Sequence, residues 1–257
     1  MNPTLLSVCI ITKNEAARLP TCLASVDFAD EILVVDSGSE DATVAVAEAA
    51  GARVIHQDWL GYGPQKRFAV AQATHDWVLC VDADERVSEA LRIAVVAALE
   101  RVEGADVAGF VCPRRNRFLG RDLAHGEGYP DWSLRLFDRR RGRWSADPVH
   151  ETVRLDGPYE RLSGDLLHAS QESLERYLDK QNRYTGLQAR YLFEQGKRAG
   201  LLQLWFSPAL RFLKFYVFRL GFLDGTPGLV HIAIGCWNSF SKYAKLRELT
   251  MQRDKRP

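Results

Sequence analysis

The sequence predicts an α/β protein with a parallel sheet, followed by a helical carboxy-terminal region. In the first hundred residues, short β-rich apolar runs alternate with segments of helical spacing. After Gly104 the pattern changes to short strands joined by basic turns, and from Ser173 onward it is helical and strongly aromatic. We therefore expect a first domain over residues 1–170 and a helical, aromatic and basic region over residues 171–257.

The early elements follow in a regular order. We predict buried strands at residues 5–12, 31–36, 53–56 and 77–81. Helices are predicted around 19–26, from Asp41, over 64–73 and from Ser88 to about Leu99. Pro20 occupies a tolerated first-turn position, Asp41 and Ser88 are expected as N-caps, and Gly51 is expected to end its helix in a left-handed conformation.

Shorter strands are predicted after Gly104, and some of them are expected to pair antiparallel. The segments with this pattern are residues 109–113, 133–138, 143–145, 151–155 and 165–168. The sheet should therefore be mixed rather than wholly parallel.

The composition is that of a packed globular protein with almost no net charge. The 257 residues are 46% hydrophobic and 26% charged, with 34 Lys and Arg against 33 Asp and Glu. This balance does not favour a nucleic-acid partner. The five cysteines are scattered and several lie in apolar runs, which is typical of reduced cysteines in the cytoplasm. Because residues 1–4 lack a basic segment, no secretory signal is predicted.

The segment WVLCVDADE, residues 77–85, is the most informative for function. A buried strand ends in Asp82 and Asp84, whose spacing places both carboxylates on one side of an extended backbone. They are expected at the carboxyl edge of the sheet, where open α/β folds bind ligands. Two oxygen donors there suit Mg²⁺ or Mn²⁺ bridging to a diphosphate. The alternative is a solvated turn that caps the next helix.

Three motifs occur in order at α/β spacing: VCIITKNEAARL, VVDSGSEDAT and VDADE. Together they resemble the inverting glycosyltransferases of family 2, which have the GT-A fold, a mixed sheet flanked by helices. The resemblance covers about residues 5–170. TKNE, with the later YPDWSLRLF and VHETV, is similar to bacterial β-1,4-glucosyltransferases that build the inner core of lipopolysaccharide or lipooligosaccharide. This resemblance implies a UDP-sugar donor and a lipid-linked or lipopolysaccharide saccharide acceptor.

The resemblance also implies roles on the donor side. Asp36 would accept hydrogen bonds from uridine, although turn formation is the alternative reading, and Gly38 would allow close approach of its loop. Lys66 and Arg67 would neutralise phosphate, unless they are an ordinary exposed basic pair. The remaining residues expected in the nucleotide-sugar pocket are Thr12, Asn14, Glu15, Asp82 and Ala83.

Inverting transfer needs a base that takes the proton from the acceptor hydroxyl, so a further carboxylate is expected. Glu151, in Val149-His150-Glu151, is the preferred candidate, and Asp131 in YPDWSLRLF is the alternative. The Glu-Asp pair usual near Asp131 in the family is absent, and Tyr129 and Pro130 occupy that place.

The remaining site predictions concern the metal and the acceptor. Asp84 and Asp82 are expected to bind the metal, with His150 completing its shell and His168 as an alternative for that role. Trp132 and Arg135 are expected on the acceptor side, because an aromatic face suits a sugar ring and Arg suits an anion. Packing for Trp132 and a surface ion pair for Arg135 are the alternatives.

The segment over residues 200–223 is dense in large apolar side chains. Arg211, Lys214 and Arg219 interrupt it before it reaches the ~20 apolar residues that cross a bilayer. These helices therefore either pack on the catalytic domain or lie in the membrane interface, where basic residues meet anionic lipid. Residues 242–256 contain six Lys and Arg against two acids, which favours the interface. We expect a cytoplasmic protein, peripheral on the inner-membrane surface.

Two other functions remain open from the sequence. A transferase acting on polyprenyl phosphate would have the same nucleotide half and would differ only in its acceptor. A non-catalytic protein that binds nucleotide sugars on a GT-A scaffold is the rival from another class, and the complete DxD and the candidate bases argue against it.

Overall fold

A computed structural model describes residues 4–146, 151–169 and 173–254. The chain forms two compact units. The first comprises Met1–Arg115 and Asp131–Ala169, and the second comprises Asn116–Pro130 and Ser170–Pro257. The predicted boundary near residue 170 did not anticipate that residues 116–130 group with the helices.

The strands and helices are bounded as follows. The strands are β1 (Leu6–Thr12), β2 (Glu31–Asp36), β3 (Arg53–His56), β4 (Trp77–Asp82), β5 (Glu85–Val87), β6 (Gly109–Phe118), β7 (Arg121–Asp122), β8 (Asp131–Asp138), β9 (Gly142–Trp144), β10 (Val153–Leu155), β11 (Tyr159–Arg161) and β12 (Leu166–Ala169). The α-helices are α1 (Leu19–Ala24), α2 (Thr43–Ala49), α3 (Tyr62–Gln72), α4 (Glu89–Arg101), α5 (Leu174–Glu194), α6 (Leu201–Phe212) and α7 (Gly225–Asp254).

The sheet of the first unit is mixed, as predicted. Its strands follow the order β3-β2-β1-β4-β8-β6-β12-β5, and β11 pairs with β6. The strands β3, β2, β1 and β4 are parallel, whereas β8 runs antiparallel to both β4 and β6. A separate hairpin joins β9 and β10. The parallel strands therefore end together at one edge, which is where the DxD segment was expected.

Both faces of the parallel strands are covered, because alternate residues of each strand enter different clusters. On one side, Val8 and Ile10 pack with residues of α1, α2 and α4. On the other side, Cys9 and Cys80 pack with Ala69 and Val70 of α3. Burial on two faces explains why these strands appear in the sequence as continuous apolar runs.

The predicted caps were mostly right. Ser88 accepts a hydrogen bond from the Leu91 amide, Pro20 lies in the first turn of α1, and Gly51 has a φ of 79°. Asp41 is not the N-cap of α2, because that position is Ala42. Asp41 instead accepts hydrogen bonds from the amides of Thr43 and Ala16, so it connects two loops.

The second unit consists mainly of α5, α6 and α7. A π-helical turn (Leu213–Phe218) and a 3-10 turn (Gly221–Asp224) connect the last two. Phe118, Leu123 and Ile234 form one small core, and Ala189 and Leu246 belong to another. This bears out the predicted helical extension.

Helix α6 has no fully buried residue, and most of its large apolar side chains are solvent-exposed, with Leu204 and Phe212 half-buried. Leu202 is 72% exposed, Trp205 69% and Phe206 58%. Within the described ranges, no helix is both long and apolar enough to cross a membrane.

Candidate active site

The carboxyl ends of β1, β2 and β4 bring the three sequence motifs together. Thr12 pairs with Asp36 in the β1–β2 register, and Ile11 pairs with Asp82 in the β1–β4 register. Because these strands are parallel, the loops that follow them meet at one edge. The predicted nucleotide and metal residues therefore share one region of the first unit.

The turn after β1 is held against the loop after β2. Asn14 adopts a φ of 55°, its amide donates to Ser39 Oγ at 2.8 Å, and its Oδ1 accepts from the Glu40 amide at 2.9 Å. The Glu15 amide donates to Thr43 Oγ1 at 2.8 Å. Asn14 is thus a structural link between two loops, in addition to the nucleotide role predicted for it.

Asp36 stabilises the second loop. Its Oδ2 accepts from the amides of Gly38 and Ser39 at 2.9 and 2.8 Å, and its Oδ1 accepts from Ser39 Oγ at 2.5 Å. Gly38 has a φ of 81°, a conformation that L side chains rarely adopt, so glycine is needed for the turn itself. The turn-forming alternative is therefore real for Asp36, and its contact with uridine stays a prediction.

Thr12 and Glu15 differ in how their side chains are satisfied. Thr12 is buried, and its Oγ1 has no hydrogen-bond partner within the described part of the chain. Glu15 accepts two hydrogen bonds from Arg18, from Nε and Nη2, each at 2.6 Å. Burial raises the pKa of Glu15, and the Arg18 charge opposes that rise. Arg18 was not anticipated from the sequence.

Asp82 is neutralised by two cations. Lys66 Nζ lies 3.0 Å from Oδ1, and Arg135 Nη2 lies 3.3 Å from Oδ2. Burial would raise the pKa of Asp82, but Lys66 and Arg135 outweigh it and hold the pKa well below its usual range. The carboxylate is therefore ionised and charge-compensated, while Ala83 beside it belongs to the core and can offer a ligand only its backbone.

Glu85 is the centre of this charge network, and the sequence reasoning missed it. Its side chain is fully buried and accepts from Arg114 Nε at 2.6 Å, from Arg135 Nη2 at 2.9 Å and from the Asp82 amide at 3.0 Å. Glu85 is the last residue of DADE, and the available signal was its alternation with the apolar residues Ala83 and Val87, which predicts that it shares their buried side.

Arg135 belongs to the buried charge network, and its predicted acceptor-side role stays a prediction. It is only 7% exposed and forms ion pairs with Asp82 and Glu85, whereas the sequence analysis offered a surface ion pair as the alternative. The β6–β8 register passes from Phe110–Leu136 to Val111–Leu134, so Arg135 is the extra residue of a β-bulge. A β-bulge changes the direction of a side chain relative to a regular strand, and bulges are common next to active sites. The bulge therefore explains why the Arg135 side chain points to Asp82 and Glu85.

Asp84 pairs with His168 rather than with a lysine. His168 Nε2 lies 3.1 Å from Asp84 Oδ2, and Arg18 Nη1 lies 3.9 Å from the same oxygen. Burial would raise the pKa of Asp84, but the hydrogen bond with His168 and its charge lower it. Of the two histidines considered for the metal, the structure brings His168 to the DxD, whereas His150 lies outside the described residues.

Lys66 also connects Asp82 to Glu151, since its Nζ lies 3.2 Å from Glu151 Oε1. Gly63, at the start of α3, lies close to the backbone at Ser145. A Cβ at this glycine would lie 2.1 Å from the Ser145 carbonyl oxygen. Arg67, next to Lys66, instead donates to the Trp144 carbonyl through Nε and Nη2 at 3.2 and 2.7 Å. Arg67 therefore stabilises the end of β9 through these two hydrogen bonds, and a contact of Arg67 with phosphate stays a prediction.

Asp131 and Trp132 lie at the start of β8 and are both exposed. Asp131 Oδ2 is 3.7 Å from Arg114 Nη1, so the second candidate base connects to the charge network through a longer ion pair.

Gln65 is a further buried residue that was not predicted from the sequence. Its side chain donates to Ser37 Oγ and to the Gln57 carbonyl.

Three comparisons place these features among known proteins. The sequence pattern described as "Glycosyl transferase family 2" matches residues 7–154. A lipopolysaccharide core biosynthesis glycosyltransferase, LpsC of Rhizobium meliloti, is 33% identical over 94% of this chain and 91% of its own length. An uncharacterised glycosyltransferase of Rickettsia bellii is 33% identical over 96% of this chain and 87% of its own length.

Among solved structures, a mannosyltransferase from Pyrobaculum calidifontis, in complex with GDP-Man and Mn²⁺, aligns over 99% of this chain and 88% of its own. The TM-score is 0.53 and the identity 14%, so this likeness concerns the fold. It agrees with the mixed sheet flanked by helices and with the GT-A fold that the motifs implied.

Proposed function

Since this chain belongs to glycosyl transferase family 2 and is a glycosyltransferase, we propose that it moves glucose, or a similar hexose, from a UDP-sugar to a saccharide acceptor with inversion. One observation carries the proposal. An ionised carboxylate and an imidazole, Asp84 and His168, lie 3.1 Å apart beside the charge-compensated Asp82 at the carboxyl edge of the parallel strands. These side chains would supply carboxylate and imidazole donors to a divalent ion that also binds the diphosphate.

The described residues supply only some of the ligands that a divalent metal needs. Oxygens of the donor's diphosphate would supply others. The described residues contain no group of three or more His, Cys, Asp or Glu able to hold a metal. Asp84 and His168 would therefore hold the ion together with oxygens of the diphosphate and water, with Asp82 beside them. Either Mg²⁺ or Mn²⁺ is compatible, and the imidazole donor favours Mn²⁺. When bound, the ion would stabilise negative charge on the departing diphosphate.

Two basic side chains of this chain would add to the positive charge of the metal ion. Lys66 and Arg18 lie next to Asp82 and Asp84 respectively, where a departing UDP would develop negative charge. Arg135 is a positioning residue, because it contacts Asp82 and Glu85 and is buried. The turns at Thr12–Glu15 and Asp36–Gly38 would receive the uridine.

The base is proposed to be Glu151, with Asp131 as the alternative. Glu151 Oε1 accepts from Lys66 Nζ at 3.2 Å, which leaves Oε2 for an acceptor hydroxyl. In the reaction, the acceptor oxygen bonds to the anomeric carbon, the bond from that carbon to UDP breaks, and the hydroxyl proton passes to Glu151. The acceptor is proposed to be a lipopolysaccharide core saccharide, on the similarity to LpsC over nearly the whole chain.

Location at the cytoplasmic face of the inner membrane is a further part of the proposal. Leu202, Phe206, Leu210 and Leu213 recur along α6 and the turn after it, and each is exposed. Lys214 and Arg219 lie beside them in the sequence and are also exposed. Apolar side chains with basic neighbours are typical of segments that lie on anionic lipid, where a lipid-linked acceptor is presented.

The direct test is release of UDP from UDP-glucose without acceptor, measured with Mn²⁺, with Mg²⁺ and with EDTA. We expect release that requires the metal and falls at least about 100-fold in Asp84→Ala and in His168→Ala. Asp106→Ala is the matched control, because its carboxylate is 79% exposed and pairs with Arg141, which is no part of the proposed site. Undiminished release in EDTA or in Asp84→Ala, with circular dichroism showing folded protein, would refute the metal assignment.

A further inference from the structure

The start of β8 carries an exposed tryptophan with a cation stacked on it. Trp132 is 41% exposed, and the Arg161 guanidinium lies 4.7 Å from the centroid of its ring. The two residues come from β8 and β11, which both pair with β6, at Pro113 and Val111 respectively. The pair is therefore set by the sheet rather than by a mobile loop.

The Arg161 guanidinium differs from its neighbours in having no acidic partner within the described ranges. Arg114 and Arg115 pair with Glu85 and Asp165 at 2.6 and 2.8 Å. Glu160, adjacent to Arg161, pairs with Arg101 at 2.7 Å. Arg161 is exposed, and its one contact of note is the Trp132 ring. Its hydrogen-bond donors are therefore available to an anion.

This pair lies at the same end of β8 as the alternative base. Trp132 follows Asp131 directly, so the two side chains leave the strand on opposite faces at the edge of the sheet. Asp131 Oδ2 lies 3.7 Å from Arg114 Nη1, and Arg114 donates to Glu85. A saccharide whose reacting hydroxyl lies near the candidate bases would reach the Trp132 surface by extending a neighbouring sugar unit past the end of β8.

We propose that Trp132 and Arg161 form an acceptor subsite for an acidic sugar unit, with the ring packed on the free surface of Trp132 and the carboxylate or phosphate bound by Arg161. The inference rests on the proposed function and names the acceptor class more narrowly. Guanidinium groups stack on aromatic rings and bind carboxylate and phosphate in a bidentate manner. Arg161 thus supplies the anion-binding role that the sequence assigned to Arg135.

The first test uses two probes that differ only in a carboxylate, methyl β-D-glucuronide and methyl β-D-glucoside. Saturation-transfer NMR would compare their affinities in the presence of saturating UDP and Mn²⁺, so that the donor pocket is filled. We expect the glucuronide to bind at least about fivefold tighter, and Arg161→Gln to abolish that preference. Equal affinity for the two probes, or a preference that survives in Arg161→Gln, would overturn the proposal.

Two variants separate binding from folding. Trp132→Ala should weaken both probes while Trp132→Phe retains most binding, because Phe keeps an aromatic face. Arg101→Gln is the matched control, since it removes an exposed arginine of the same unit that stacks on Phe110 instead. It should leave the preference intact, and loss of the preference in Arg101→Gln would contradict a specific role for Arg161.

A second pair of probes distinguishes phosphate recognition from carboxylate recognition. The affinities of glucose 6-phosphate and glucose would be compared by the same NMR measurement.

A kinetic test follows with core oligosaccharide as acceptor. Arg161→Gln should raise the acceptor KM at least about tenfold with kcat less affected, because the change removes binding rather than chemistry. An unchanged KM would count against the subsite. Failure of the proposed function would look different, because the wild-type protein would then release no UDP from UDP-glucose while the probe preference persisted.

Discussion

At the carboxyl edge of the first unit's sheet, charged side chains are buried, whereas along α6 of the second unit large apolar side chains are exposed. Glu85 and Lys66 are 1% and 5% exposed, and Leu202 and Trp205 are 72% and 69% exposed. Both regions depart from the usual distribution of residue types, and such departures mark functional surfaces more reliably than ordinary burial does.

The two departures are compensated in different ways. In the first unit, each buried charge has partners inside the chain, since Glu85, Arg135, Asp82, Lys66 and Glu151 form a continuous series of ion pairs. In α6, none of the residues is buried by another part of the described chain. The charges of the network therefore largely compensate one another, although Arg135 Nη1 is buried without a hydrogen-bond partner in the described part of the chain. The apolar surface of α6 stays open to solvent within the described residues.

The largest expected effect tests the end of the charge network. Glu151→Gln keeps the shape of the side chain but removes the proton acceptor, so kcat should fall about 10²–10⁴-fold. The dissociation constant for UDP-glucose, measured by calorimetry, should change little. Asp131→Asn is the paired variant and should lower kcat less than about tenfold. The reverse ranking would transfer the role of base to Asp131.

The next effect tests whether the buried charges depend on one another. Glu85→Ala leaves the buried Arg135 and its neighbour Arg114 without their shared carboxylate, so the free energy of unfolding should fall by about 3–5 kcal/mol. Glu160→Ala removes an exposed partner from Arg101 and should cost less than about 1 kcal/mol. Denaturant titrations measure both. Similar losses for the two variants would mean that burial does not distinguish this network.

A smaller effect tests the apolar surface. Replacing Leu202 and Phe206 by Ser should reduce binding to vesicles containing phosphatidylglycerol at least about tenfold, because each large side chain contributes about 1.5–3 kcal/mol when buried. Thermal stability should not fall, since both residues are exposed. Ile93→Ser, at a residue 62% exposed in the first unit, is the control and should bind like the wild type. Co-sedimentation measures the difference, and equal binding by all three proteins would remove the membrane proposal.

The last effect concerns a half-buried imidazole of the second unit. Burial, aided by the charge of Arg211, lowers the pKa of His231 from 6.5 to about 4. Below pH 6.5 the unfolded chain therefore binds a proton that the folded protein does not, and stability is lost as pH falls from 6.5 towards 4. Between pH 7 and pH 5 the loss should be about 2 kcal/mol.

His231→Leu should reduce that pH dependence, because it removes the imidazole whose pKa is lowered. The free energy of unfolding of the variant and of the wild type at the two pH values measures this. An unaltered pH dependence in His231→Leu would show that this imidazole does not titrate as its surroundings require.

Much of the first unit could be predicted from local patterns. The buried strands and the carboxyl-edge position of the DxD followed from apolar runs and from the geometry of parallel strands, and the fold class was confirmed. The boundaries were less accurate. The strand predicted at residues 109–113 extends to Phe118. The short strands β5 and β11 were not predicted, because they pair with strands distant in sequence, and β7 was not predicted because it contributes only two residues to a tight turn with β6.

The sequence by itself determined which side chains follow the parallel strands, because a strand and its carboxyl end are local properties of the chain. Only the tertiary structure decided which partner each of those side chains has. His168 reaches Asp84, Glu151 reaches Lys66, and a bulge turns Arg135 onto Asp82. Segments about 50 to 85 residues apart meet in these pairs. Such contacts depend on sheet order and register, which no local pattern encodes.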